Sequence, residues 1–292
     1  MTAENSTRIR KPAWLRQKLP VGAAYEHVRA MLKENRLHTV CQEAKCPNMW
    51  QCFSRRTSTF LILGPRCTRN CRFCSVEHGM PVPPDPAEPA RVADAVKNMG
   101  LEYAVITSVT RDDLPDGGAQ FFAQTVHEIH KALPDAQVEV LIPDFQGNAD
   151  ALQTVLDSGV AVLNHNLETV PRLYPSVRPE AIYRRSLDLL SQAKKYNAAI
   201  AAKSGLMLGL GETSDEIRRT LEDLRNSSCD LLTLGQYLQP SASHLPVERF
   251  VHPDEFESWR KTALEMGFAG VASGPFVRSS YHAKELFCAI AF

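Results

Sequence analysis

The chain has 292 residues with 33 basic and 33 acidic side chains, so its formal net charge at pH 7 is zero. This length can bury a large core, and the balanced charge argues against a protein held to nucleic acid by a positive field. No apolar run approaches the roughly 20 residues that span a bilayer, and the first residues lack the apolar region of a secretory signal. We therefore expect a cytoplasmic protein with no membrane anchor.

An N-terminal extension is predicted over residues 1–57. Residues 1–20 are rich in Lys and Arg and indicate a basic, poorly ordered arm, and a helix is expected over 23–34. Three cysteines follow at the spacing C-x4-C-x5-C, namely Cys41, Cys46 and Cys52.

From residue 58 onward, short β-branched or Leu-rich runs alternate with amphipathic stretches. Strands are predicted over 59–63, 103–108, 137–142, 160–166, 200–206 and 231–237, with a further short one near 270–273. Helices are predicted over 89–98, 119–131, 150–157, 181–196, 214–226 and 253–266. This alternation predicts an α/β fold with a parallel sheet. We expect a partial (β/α)6 barrel over 58–250, with residues 251–292 as a C-terminal helix and tail, and both extensions closing the barrel mouth.

A second cysteine group follows the first predicted barrel strand. Cys67, Cys71 and Cys74 have the spacing C-x3-C-x2-C, and the C-terminal ends of strands carry the chemistry in such barrels. Three thiolates on one short loop suit an iron–sulfur cluster whose fourth iron has no protein ligand. A zinc site is the alternative, and it needs a fourth ligand such as His78.

The earlier cysteine group also offers three thiolates where a complete cluster site needs four ligands. Cys229, Cys288 or a non-cysteine residue is a possible fourth ligand. Disulfides are a weaker alternative, because clustered cysteines in a reducing compartment more often bind metals. An electron-transfer iron–sulfur protein and a zinc-binding interaction module remain alternatives from other functional classes.

With Phe73 directly before its last cysteine, the second group resembles the cluster motif of the radical S-adenosylmethionine (SAM) superfamily. The two groups together resemble the lipoyl synthase family, and the match spans nearly the whole chain. It is also carried by segments 108–118, 164–170, 203–212, 235–241 and 278–281.

The resemblance implies two [4Fe–4S] clusters and SAM as cofactors. Cys67, Cys71 and Cys74 would hold the cluster that binds SAM. The auxiliary cluster would be held by Cys41, Cys46, Cys52 and Ser280, although Ser279 is not excluded as the fourth ligand.

The implied reaction is insertion of two sulfur atoms, at C6 and C8, into a protein-bound octanoyl-lysine. It uses two SAM per product, with the auxiliary cluster as sulfur donor. The implied partners are octanoylated lipoyl carrier proteins, such as the glycine cleavage H protein and the E2 lipoyl domains of 2-oxoacid dehydrogenases. A reducing system such as flavodoxin or ferredoxin is also implied. The alternative is another radical SAM sulfur-inserting enzyme that acts on a small molecule.

Further residues are expected to contact SAM or substrate. By resemblance these are Phe73, Ser108, Asn166, Glu168 and Lys203. For the acidic run Asp112, Asp113 and Asp116, helix capping and ligand contact are equally favoured, and His165 is either a core histidine or a substrate contact.

Overall fold

The computed structural model of the chain describes residues 10–16 and 22–290. The basic arm predicted over 1–20 lies outside these residues except for 10–16, which include a 3₁₀ turn at Ala13–Leu15. Within the described ranges, no helix is long and apolar enough to cross a bilayer.

The helices and strands alternate along the chain as predicted. The strands are β1 (His38–Thr39), β2 (Thr59–Ile62), β3 (Arg66–Cys67), β4 (Glu77–His78), β5 (Tyr103–Ser108), β6 (Gln137–Leu141), β7 (Val162–Asn164), β8 (Ala201–Leu208), β9 (Leu231–Gln236) and β10 (Gly270–Gly274). The helices are α1 (Ala23–Glu34), α2 (Val40–Glu43), α3 (Met49–Ser54), α4 (Glu88–Met99), α5 (Ala119–Ala132), α6 (Ala149–Leu156), α7 (Tyr174–Val177), α8 (Tyr183–Tyr196), α9 (Ser214–Asn226), α10 (Pro253–Glu265) and α11 (Ala283–Cys288).

One eight-stranded sheet forms the body of the protein, in the order β1-β2-β5-β6-β7-β8-β9-β10. The strands from β2 to β10 in this order pair in parallel, and β1 joins the edge of β2 in the antiparallel direction. The prediction of an α/β fold with an open, partial barrel is confirmed. The short strand predicted near 270–273 is β10, which continues the six barrel strands beside β9, and in this sheet only the edge strand β1 was not predicted.

Local sequence explains most of these elements. The central strands are buried runs of apolar residues, as expected for a parallel sheet covered by helices. Helix α9 begins with a capping box, in which Thr213 and Glu216 bond each other's backbone, and it buries Ile217, Leu221 and Leu224 on one face. The elements missing from the sequence prediction, such as α2, α3 and β1, are too short to show a hydrophobic period.

The N-terminal and C-terminal extensions are held by different apolar contacts. In the N-terminal extension, Tyr25 of α1 stacks on Trp50 of α3 with ring centroids 4.2 Å apart. At the other end, Leu286 of α11 packs with the first residues of β7, β8 and β9. Helix α11 therefore closes the end of the barrel opposite the mouth, so the C-terminal extension contributes to both ends.

Candidate active site

The C-x3-C-x2-C loop lies where the sequence placed it, after the first parallel strand of the barrel. Cys67, Cys71 and Cys74 are free thiols that line a cavity of about 730 Å³ at the C-terminal ends of the strands. The Thr110 backbone N–H donates to Cys67 Sγ at 3.3 Å, which joins this loop to the one after β5. Burial raises the pKa of Cys74 to about 12, so its thiolate forms only together with a cation that replaces the proton.

A buried guanidinium holds this cysteine loop in place. Arg69 lies between two of the cysteines and binds Asp112 with two hydrogen bonds of 2.6 and 2.9 Å. It also donates to Asp144 at 2.6 Å. Burial acts to raise the pKa of Asp144, but the Arg69 guanidinium lowers it to about 2, so the carboxylate is charged. Asp112 therefore supports the loop, whereas helix capping falls to Asp116, which accepts from two backbone N–H groups at the start of α5.

The first cysteine group reaches the same cavity from the N-terminal extension. Cys41 is on α2, Cys46 is in the following turn and Cys52 is on α3, and all three are free thiols on the cavity wall. Burial raises the pKa of Cys41 to about 12 and that of Cys52 to about 11. The structure thus brings together six cysteines that are separated into two groups in the sequence.

The disulfide and zinc alternatives find no support in the geometry. All eight cysteines are free, so the disulfide interpretation is wrong. Among residues 10–16 and 22–290, no three His, Cys, Asp or Glu side chains are arranged around one metal ion, as a zinc site requires.

Two consecutive serines of the C-terminal tail point to different parts of the cavity. Ser280 Oγ accepts a hydrogen bond of 2.7 Å from Thr59 Oγ1, and its neighbour Tyr281 donates to Gln51, which lies between Cys46 and Cys52. Ser279 Oγ instead accepts a 2.5 Å hydrogen bond from Asn166 Nδ2. Ser280 is therefore the serine on the side of the first cysteine group.

Four of the five residues expected to contact SAM or substrate line the cavity, namely Phe73, Ser108, Asn166 and Glu168. Ser108 Oγ and Asn166 Oδ1 are buried and have no hydrogen-bond partner among the described residues. Burial raises the pKa of Glu168, which accepts from Asn166 Nδ2 at 3.0 Å. Unmatched buried polar atoms on a cavity wall are costly unless a bound molecule pairs with them.

Lys203 is the exception, and its sequence-based assignment needs correction. Its ammonium binds both oxygens of Glu139, at 2.8 and 3.0 Å, and both side chains are 0% exposed. It is not among the residues that line the cavity. Glu139 is on β6 and Lys203 is on β8, with β7 between them, and inside the barrel each satisfies the other's charge.

His165 is held as a neutral core histidine, although it also borders the cavity. Its Nδ1 donates to the Ile142 carbonyl at 2.8 Å, and because a carbonyl only accepts, Nε2 is the atom that accepts from the Ser186 hydroxyl at 2.9 Å. Burial lowers the pKa of His165 to about 4. Both ring nitrogens are thus occupied within the protein.

Several residues at the site were not identified from the sequence. Asn48 and Gln51 lie between cysteines of the first group and bind the C-terminal tail, and Gly235 of β9 faces the tail closely. For Asn48 and Gln51, the sequence indicated a role at the site only through their position between cysteines, because their partners are more than 200 residues away in the chain.

Comparison with known proteins agrees with this geometry. Residues 61–224 match the radical SAM superfamily, and residues 1–46 match the N-terminal domain of lipoyl synthase. The lipoyl synthase of Desulfotalea psychrophila is 57% identical over 280 residues, which cover 96% of this chain and 94% of that protein. The lipoyl synthase of Rubrobacter xylanophilus is 54% identical over 275 residues, which cover 94% of this chain and 86% of that protein.

Solved structures resemble the chain in fold alone. HydG, a maturase of the [FeFe]-hydrogenase, matches with a TM-score of 0.57 and 14% identity, covering 92% of this chain and 67% of that chain. SuiB of Streptococcus suis, solved bound to S-adenosylmethionine, matches with a TM-score of 0.53 and 12% identity, covering 70% of this chain and 46% of that chain. The extent and level of identity to its curated relatives show that the chain belongs to the lipoyl synthase family of the radical SAM superfamily.

Proposed function

We propose that this protein inserts sulfur at C6 and C8 of an octanoyl-lysine held on a carrier protein, with its two cysteine groups in separate roles. This is the lipoyl synthase reaction, which consumes two SAM per lipoyl group formed. The observation that carries the proposal is that two groups of three free cysteines line one cavity. An electron-transfer protein has no need of two incomplete thiol sets on a shared cavity.

The donor set fits two [4Fe–4S] clusters. We assign Cys67, Cys71 and Cys74 to the cluster that binds SAM. We assign Cys41, Cys46 and Cys52 to the auxiliary cluster. Ser280 is proposed as its fourth ligand because the tail segment that carries it bonds Asn48 and Gln51, between Cys46 and Cys52. When bound, the first cluster supplies the electron that cleaves SAM, and the auxiliary cluster supplies the two sulfur atoms.

Polar groups near the first cysteine loop are proposed to orient SAM. The unpaired atoms Ser108 Oγ and Asn166 Oδ1 offer hydrogen bonds to a polar ligand, and Phe73 offers a flat apolar surface. The φ of Glu168 is +66°, a conformation unusual for this residue type, and backbone bonds to Gly205 and Met207 hold it there. This places the Glu168 carboxyl at the cavity wall with little freedom to move.

An apolar part of the cavity suits the octanoyl chain. It is lined by Leu61 of β2, Val105 of β5, Leu141 of β6 and Leu206 of β8. Burial of each methylene of an acyl chain contributes about 0.8 kcal/mol, and an enclosed wall keeps water from a reactive carbon centre. An octanoyl chain bound there would lie in the same cavity as both cysteine groups, and proximity would favour sulfur insertion over side reactions.

We further propose how the protein is organised and what it works with. Residues 1–57 act as the extension that carries the auxiliary cysteines, 58–250 as the radical SAM barrel, and 251–292 as the tail that supplies the serine ligand. The proposed carriers are the glycine cleavage H protein and E2 lipoyl domains, and the proposed reductant is a flavodoxin or ferredoxin. Six free thiols line the cavity, and thiols stay reduced in the cytoplasm. We therefore propose that the reaction takes place there.

The test is an anaerobic assay of the reconstituted protein with SAM, a reductant and an octanoyl-lysine peptide. The expected result is about eight irons per chain, from two four-iron clusters, with formation of 5′-deoxyadenosine and a thiolated peptide. A chain that binds only about four irons, or that makes 5′-deoxyadenosine but never thiolates the peptide, would refute the proposal. Thiolation of a free small molecule in preference to the peptide would support the alternative enzyme class.

A further inference from the structure

The C-terminal crossing segment, residues 276–282, lies between the first cysteine group and the barrel. On the side of the cysteines, Asn48 Nδ2 donates to the Phe276 carbonyl at 2.6 Å. Tyr281 donates from its hydroxyl to Gln51 Oε1 at 2.9 Å. Asn48 and Gln51 both lie between Cys46 and Cys52 in the sequence, so the crossing segment is fastened to the proposed auxiliary site at two points.

On the barrel side, the crossing segment lies directly against strand β9. A Cβ added to Gly235 would lie 2.2 Å from the Val277 carbonyl oxygen, so this close approach requires glycine. The segment therefore has little room to shift relative to β9, and the direction of each following side chain is defined by this contact.

Within this constrained segment, adjacent serines serve the two halves of the cavity. Ser280 accepts from Thr59 of β2 and precedes Tyr281, which bonds Gln51, whereas Ser279 accepts from Asn166. A movement of Ser280 toward or away from the auxiliary site must also displace Ser279, because the two residues are covalently linked.

Asn166 is the residue through which Ser279 acts. Its Nδ2 donates to both Ser279 Oγ, at 2.5 Å, and Glu168 Oε1, at 3.0 Å. Its Oδ1 is buried on the cavity wall without a partner among the described residues. With the amide nitrogen engaged by two acceptors, the oxygen is the atom of this amide that is left to pair with a hydrogen-bond donor.

We infer that Ser279 is a positioning residue that orients Asn166 for SAM and links the geometry of the SAM site to that of the auxiliary site. The inference rests on the proposed function, in which Asn166 contacts SAM and Ser280 ligates the auxiliary cluster. It assigns different roles to the two serines of the tail, with Ser279 supporting SAM binding and Ser280 supporting the sulfur donor.

The experiment compares Ser279→Ala, Ser279→Thr and the matched neighbour Ser280→Ala, each reconstituted anaerobically. Ser279→Ala is expected to keep the wild-type iron and sulfide content. Loss of one hydrogen bond should raise its KM for SAM about threefold to tenfold with kcat nearly unchanged. Equilibrium dialysis without reductant should show the same weakening in the dissociation constant of SAM. Ser279→Thr, which keeps the hydroxyl, should restore binding, and Ser280→Ala should lose iron from the auxiliary site.

Three results would overturn the inference. These are wild-type SAM binding in Ser279→Ala, loss of auxiliary iron in Ser279→Ala as severe as in Ser280→Ala, and a Ser279→Thr variant no better than Ser279→Ala. Failure of the proposed function is separable, because wild-type protein would then transfer no sulfur to the octanoyl peptide whatever the behaviour of the serine variants.

Discussion

Replacing Lys203 by Met should destabilise the fold strongly while leaving SAM binding almost unchanged. Lys203 Nζ binds both carboxylate oxygens of Glu139 inside the barrel, and neither side chain is exposed. Removing one member of a buried ion pair leaves the other charge without compensation, which costs about 3–5 kcal/mol. Tyr103 and Asn164 also donate to Glu139, at 2.7 and 3.1 Å, so the carboxylate keeps some stabilisation and the lower half of that range is expected.

The double variant Lys203→Met/Glu139→Gln separates charge from packing. Removing both charges leaves no buried ion uncompensated. The glutamine oxygen still accepts from Tyr103, and its amide nitrogen donates to Asn164 once that amide flips to present Oδ1, which has no partner among the described residues. Stability should therefore return to within about 1 kcal/mol of the wild type. The free energy of unfolding from anaerobic urea titrations, with the slope checked for constancy, measures both effects.

Two outcomes would refute this reasoning. If the double variant is as unstable as Lys203→Met, the uncompensated charge is not the cause of the loss. If the double variant is stable but its KM for SAM rises more than about tenfold, equivalent to 1.4 kcal/mol of lost binding, then Lys203 contacts the ligand as the sequence suggested.

Three further predictions concern other parts of the site. Cys46→Ala should still form 5′-deoxyadenosine but transfer no sulfur, as measured by the mass of the octanoyl peptide. Arg69→Lys, which loses the two-bond contact with Asp112, should release iron from the SAM-binding cluster faster under a chelator. The exposed pair of Arg260 with Glu257 provides the control, since Arg260→Lys there should change nothing. Because the pKa of His165 falls from 6.5 to about 4 on folding, its contribution is complete above pH 6.5 and is lost as the pH falls toward 4. This amounts to about 3 kcal/mol across the window, and His165→Gln should flatten the pH dependence of the urea midpoint.

Each of these three predictions has a contradicting result. Normal thiolation by Cys46→Ala would show that the first cysteine group is not the sulfur source. Equal iron release from Arg69→Lys and Arg260→Lys would remove Arg69 from the support of the loop. An unchanged pH profile in His165→Gln would show that this ring does not stay neutral in the fold between pH 4 and 6.5.

Much of the architecture was predictable because its signals are local. The predicted strands and helices agree with the observed ones to within a few residues, including α1 over Ala23–Glu34. The strand predicted over 160–166 is shorter at both ends and covers only Val162–Asn164 in the structure. The chain turns soon after Asn164, and Glu168 returns to pair with Leu206 through a single bridge. A run of buried residues marks a strand but not the point where a turn interrupts it.

The partners of individual side chains were less predictable. The sequence placed Lys203 among the ligand contacts because its segment resembles a family motif, but a motif does not state which way a side chain faces in the barrel. Likewise, helix capping and ligand contact were equally favoured for Asp112, but in the structure its carboxylate binds Arg69. Arg69 lies 43 residues away in the chain, and only the loops after β2 and β5 bring the two side chains together.

By itself, the sequence determined the chemistry that this chain carries: two three-cysteine groups, their spacing, and the strand that precedes the second group. These are properties of neighbouring residues, set by covalent order and by hydrophobic period. Only the tertiary structure decided which serine faces which site and which lysine is neutralised. The contacts are Lys203 with Glu139, Asn166 with Ser279, and Thr59 with Ser280, whose partners are separated in the sequence by 64, 113 and 221 positions. They exist only once the parallel strands have assembled around a common interior.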